Sequence, residues 1–144
     1  VGKRWTAAEV EPFNTPWRSA IVNRVVDPDT FDVRVQCGFG VSAETRVRLL
    51  REGVYTTPQD PTDDGVNAFE IKGEQKAEGL VAMSRVLGLI QPGDEVRIFS
   101  QRGGKLDGVR RWLAALLFEN EPGVWLSLGD LLLEEGHAVP WVRS

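Results

Sequence analysis

Cys37 and His137 are the only cysteine and the only histidine in the chain. One of each is too few for any of the familiar zinc-ligand spacings. Nor does Cys37 have a His partner in the pattern that makes a thiolate nucleophile, so it reads as a small buried or loop residue. A metal here is therefore a hard cation held by oxygen. Oxygen is on offer in two places: Asp29 closes an Asp27-Pro28-Asp29-Thr30 turn, and Asp60, Asp63 and Asp64 crowd one loop. Arg46 and Arg48 share one face of an alternating segment, and Arg110-Arg111 begin another. Carboxylates and planar guanidiniums together are the equipment of phosphate chemistry. Each also has a plainer reading: a turn aspartate bonding its own backbone, a solvated acidic loop, and ordinary strand-face arginines.

The elements that hold these residues are mostly strands. Ala20-Ile21-Val22 and Val25-Val26 form a first one, and the turn at 27–30 ends it. Phe31, Val33 and Val35 then alternate with Asp32, Arg34 and Gln36, the period of a half-buried strand. Cys37-Gly38-Phe39-Gly40 turns the chain into a third strand with Val47 and Leu49 on one face. Residues 53–67, with Gly53, Pro58, Pro61 and Gly65, read as a loop. From about Ala68 to Leu89 the period becomes helical, with Ala77, Leu80, Val81, Ser84 and Leu87 on one stripe. Gln91-Pro92-Gly93-Asp94 stops it, Glu95 to Phe99 alternates again, and Val109 to Phe118 is a mostly buried strand. Ser127 is an N-cap with Asp130 three residues on, and Gly136 is placed to end the helix that follows. Three strands, a helix, two strands and a helix make a mainly β fold with α. That order fits an OB-fold: a five-stranded Greek-key barrel with two main helices.

Residues 1–17 are an N-terminal arm before a barrel domain at 18–144. The arm's Trp5, Phe13 and Trp17 need burial somewhere, either over the domain or against a protein partner. At 144 residues one domain buries a core without a disulfide. No apolar run reaches about 18 residues, so no membrane span is expected. The first residues lack a secretory h-region, which places the chain in the cytoplasm or within a macromolecular particle, with an already removed signal left open. Net charge −4 and a pI near 5.1 disfavour a general nucleic-acid binder.

Four segments, in order, resemble the staphylococcal nuclease (thermonuclease) family. Val26-Asp27-Pro28-Asp29-Thr30 is similar to its Asp-Gly-Asp-Thr turn. Val47-Arg48-Leu49-Leu50 followed by Thr57-Pro58 is similar to its Arg-Leu segment before Asp-Thr-Pro-Glu. Asp107 through Ala114 looks like its Asp-x-Tyr-Gly-Arg-x-Leu-Ala strand, and Leu128 through Val139 like its last matched helix. The resemblance implies a barrel that cleaves DNA or RNA with calcium. It makes Asp29 a calcium carboxylate, Thr57 a ligand through its carbonyl, and Arg48 and Arg111 the phosphate clamp. Arg51 competes with Arg48, because the gap to Thr57-Pro58 is three residues longer than the family's.

The departures are chemical. Thr56-Thr57-Pro58-Gln59 stands where the family has Asp-Thr-Pro-Glu, so one calcium carboxylate and the acid beside the water are neutral. Gln59 cannot take a proton, which removes base assistance worth about 100- to 10,000-fold. Asp60, the next residue, is the nearest substitute acid. Three readings follow. In the first, hydrolysis is lost and the barrel is a binding or structural module of a larger assembly such as a phage or nucleoprotein particle, without a cofactor. In the second, the chain is a divergent Ca2+-dependent nuclease acting on DNA or RNA. A third, a plain OB module stacking bases, is disfavoured because Phe31, Phe99, Trp112 and Trp125 sit at core-like positions; Phe39 and Tyr55 remain for exposure.

Overall fold

The turn at Asp27–Thr30 folds β2 (Arg18–Asp27) back onto β3 (Thr30–Gly38), and a second hairpin leads into β4 (Val41–Leu50). The computed structural model describes residues 3–50, 65–68, 71, 73–100 and 112–141. α1 (Lys76–Leu89) then carries the chain to β6 (Glu95–Ser100) and β7 (Trp112–Glu121). These five strands close on themselves: β3 lies between β2 and β4, β6 between β2 and β7, and β7 pairs with β4 in parallel. A parallel pair needs a long crossover, and the segment containing α1 and β6 supplies it. This is the expected OB-type barrel with two helices, the second being α2 (Leu128–Glu134).

Alternation decides what fills it. Val22, Phe31, Val33, Val47, Leu49, Val96, Ile98, Ala114 and Leu116 are all buried in one cluster, closed by Val86 and Ile90 near the end of α1 and by Leu128, Leu131 and Leu132 of α2. β7 is apolar on both faces because both are covered, the reason for an unbroken hydrophobic run. Ala115 and Leu117, on its outer side, pack with Val10, Trp17 and Trp125 in a second cluster. The arm therefore lies on the barrel: Trp5, in β1 (Trp5–Thr6), pairs with Trp125 of β8 (Val124–Ser127) and meets Trp17 edge-on at 5.4 Å. Arg97 Nε donates to the Val10 carbonyl at 3.0 Å, and its guanidinium lies over the Trp125 ring.

The α2 boundaries are as the sequence predicts. Ser127 Oγ accepts from the Asp130 N–H, and Gly136, at φ 78°, lets the His137 and Gly136 N–H groups close back on Leu132 and Leu133. The structure differs from expectation in four places. Short strands β1, β8, β5 (Gly65–Ala68) and β9 (Ala138–Trp141) flank the barrel, and β5 overlaps the end of the 53–67 stretch read as loop and takes in Ala68, read as the start of the helix. Their pairing is mostly non-local, as in β5 with β9, and two to four residues are too few to show a period. The helix begins at Lys76 rather than near Ala68, after Gly73 at φ 71° and a 3-10 turn. β7 is described from Trp112 and runs on to Glu121; residues 109–111 lie outside the described residues.

The fourth is the buried face of α1, which is Gly79, Ala82 and Val86, while Ala77, Leu80, Val81, Ser84 and Leu87 are exposed. Small residues let a helix approach closely, so packing selected the face with least bulk instead of the stripe with most.

Three acids are held ionised by partners. Lys3 and Thr6 hydrogen-bond Glu9, lowering its pKa from 4.5 to about 2. The Arg46 guanidinium lowers Asp32, and Arg85 lowers Glu135 by forking onto it at 2.8 and 2.9 Å, tying α1 to the end of α2. Depressed carboxyl pKa values give stability that is present above the unfolded value and lost as pH falls through the folded one. Thermal melting should therefore fall as pH drops from about 4.5 towards 2. Arg85→Met should remove part of that slope, by about 1 kcal/mol or less because the pair is solvent-screened. An acid slope unchanged in Arg85→Met would contradict the assignment.

Candidate functional site

The β2–β3 turn and the end of β4 build the site. Asp27 faces Thr30 across the turn, which presents Asp29 at its corner. The Asp29 carbonyl accepts from the Leu49 N–H at 2.9 Å, locking the turn against β4. Its carboxylate is buried, with Oδ1 accepting from the Thr30 hydroxyl at 2.9 Å. Arg48 is the Cα partner of Thr30, so alternation that sends Val47 and Leu49 inward sends Arg48 out beside Asp29. Arg48 Nη2 stands 3.7 Å from Asp29 Oδ2, with side chains only 12% and 10% exposed. Two of the predicted site residues are thus brought together.

The others, Arg111, Asp60 and Thr57, lie outside the described residues, as do Arg51, Thr56 and Gln59. The backbone fixes one relation beside them. Trp112 pairs with Val47 and Leu113 with Arg48, so the described part of β7, which starts one position after Arg111 in the sequence, runs parallel to Arg48's own strand.

The chemistry of the pair is restrained. A guanidinium near Asp29 raises the cost of bringing a divalent cation there, and the Thr30 hydroxyl already occupies one carboxylate oxygen. Calcium takes about six to eight oxygens. Among the described residues no three His, Cys, Asp or Glu gather as a metal-holding group, so those residues alone do not fit calcium. Asp29 in turn offsets the charge that Arg48 would offer a phosphate.

Phe31 and Trp125 are buried and Phe99 and Trp112 half-buried, in keeping with core positions, whereas Phe39 is fully exposed; Tyr55 lies outside the described residues. Sequence reasoning missed the open end of the barrel. A cavity of about 620 Å³ opens there, lined among others by Arg18, Val35, Thr45, Ile98 and Trp112. A smaller cleft of about 230 Å³ adjoins it under Phe13 and Pro16. The sequence signal was the Gly38-Phe39-Gly40 tip, whose three residues all have positive φ. Set against protein-family models and against curated proteins, the chain matches none.

Proposed function

We propose that this chain is a staphylococcal nuclease-like barrel that has given up hydrolysis and serves as a binding or structural module in a larger assembly, such as a phage or nucleoprotein particle. The observation that carries the reading is the Asp29–Arg48 pair. The acid and the guanidinium that the resemblance assigns to metal and phosphate face each other at 3.7 Å, nearly buried. The neutral Thr56 and Gln59 point the same way. Within the arm, Trp5, Val10 and Trp17 hold the fold while Phe13 stays exposed, which leaves Phe13 for a protein partner.

A second reading, the divergent calcium nuclease, is favoured by the same convergence beside the parallel β4–β7 pair. There Arg48 and Arg111 clamp the phosphate of DNA or RNA, Asp29 and the Thr57 carbonyl hold calcium, and Asp60 replaces the lost acid. Incubation with single-stranded DNA and RNA, in calcium or chelator, separates the two. The expected result is no chelator-sensitive cleavage, and calcium binding weaker than about 1 mM by calorimetry. Chelator-sensitive cleavage that disappears in Asp29→Ala and Arg111→Ala would establish the enzyme instead.

A further inference from the structure

The fold carries two apolar surfaces at separate ends. One rims the barrel mouth: Phe13, Phe39 and Val41 are 82%, 105% and 57% exposed. Phe13 and Phe39 are also the only non-glycine residues with positive φ among the described residues, at 73° and 56°. L residues rarely adopt that backbone, so both rings are held outward by a conformation with a cost. They belong to one patch, since a Cβ on Gly38 would come within 3.4 Å of the Phe13 ring. The other surface is the outer stripe of α1, where Leu80, Val81 and Leu87 are 49%, 60% and 38% exposed. α1 leads into the start of β6, whereas the mouth opens at the end of that strand.

We propose that the barrel mouth of one copy of this chain docks the α1 stripe of a second copy, head to tail. This deepens the assembly reading and rests on it for its biological sense, by naming the chain itself as a partner. Charge selects the pairing. Among the described residues, Arg18 is the one charged residue lining the mouth cavity and its adjoining cleft; it is exposed and makes no ion pair with another described residue. The α1 stripe borders a groove of about 310 Å³ that, among the described residues, carries the acids Glu78 and Glu135 beside His137. Glu135 is held by Arg85, which leaves the exposed Glu78 to meet Arg18. Mouth against mouth would oppose Arg18 with itself, and stripe against stripe would oppose Glu78 with itself; like charges across an interface are disfavoured. Two different patches at separate ends give a heterologous contact, which builds a ring or an open filament rather than a closed dimer.

Light scattering after size exclusion, at low salt and from about 1 μM to 1 mM protein, tests this. The wild-type mass should rise with concentration past the dimer. Phe39→Asn removes a rim aromatic where asparagine accepts the left-handed backbone. Val81→Lys puts a cation in the stripe, facing Arg18. Each variant alone should weaken association by about tenfold or more, with unchanged circular dichroism. Mixed, they should form a heterodimer and stop, because each retains one intact face. A wild type that stays monomeric, a single variant that associates like wild type, or a mixture without heterodimers would each overturn the proposal. A monomeric chain that cleaves nothing sinks this inference and leaves the assembly reading to another partner. Chelator-sensitive cleavage by a self-associating chain does the reverse.

Discussion

Trp17→Ala should lower the stability of the whole barrel by about 3–5 kcal/mol, the usual cost of emptying a buried tryptophan site. Trp17 is 5% exposed, meets Trp5 edge-on and packs against Phe99 at 5.7 Å. What makes the effect global is the strand beneath it. Ala115 and Leu117 share a cluster with Trp17, and their neighbours Ala114, Leu116 and Phe118 face the barrel interior. A void on the outer side of β7 therefore loosens a strand that is core on both sides, and Trp17 directly precedes β2, whose first residue pairs with β6. Denaturant melts should show one cooperative transition at a lower midpoint with an unchanged slope. Phe13→Asn in the same arm, exposed and at positive φ, should stay within about 0.5 kcal/mol of wild type. If Trp17→Ala melts like wild type, the arm is a detachable tail and its burial contributes nothing.

The barrel was readable because its inner strands obey a period of two: Phe31, Val33 and Val35 in β3 and Val47 and Leu49 in β4 each face inward or towards the mouth. Ser127 and Gly136 were readable because caps are local chemistry, settled within four residues. The face of α1 was not, since Gly79 and Ala82 bury little area and look indifferent in a hydrophobicity pattern. Contact distance favoured them, and that is set by the barrel surface, which the helix segment does not encode. The strands β1, β5 and β9 depend on partners far along the chain, so no window around them contains the reason they form, whereas β8 closes a local hairpin on β7. Of the site, Asp29 and Arg48 came from the resemblance; their meeting follows from register, because Thr30 opposite Arg48 fixes where the turn's acid points. That they face each other is the part no motif could supply.

Breaking that pair from one side should cost far more than its distance implies. The Asp29–Arg48 contact is 3.7 Å, longer than the Arg46–Asp32 fork at 2.7 and 3.1 Å. Yet Arg46 and Asp32 are 47% and 29% exposed, and exposed pairs are worth roughly 0–1 kcal/mol. Asp29 and Arg48 are about nine-tenths buried, so removing either takes an opposite charge away from the other in a poorly solvated place, at a cost of up to about 3–5 kcal/mol. The loss in Asp29→Ala includes the Thr30 hydroxyl bond as well. A double-mutant cycle with Arg48→Met should return a coupling of about 1–3 kcal/mol, because the second substitution removes the charge whose buried neighbour the first took away. The same cycle on Arg46 and Asp32 should give less than about 1 kcal/mol. Strong coupling at Asp29 means the two groups stabilise each other, and any phosphate or cation must compete with that partner before it binds. Coupling near zero means each side chain is held independently of the other, so their contact offers an outside ligand no competition. That result would favour the nuclease reading over the structural one without any cleavage assay.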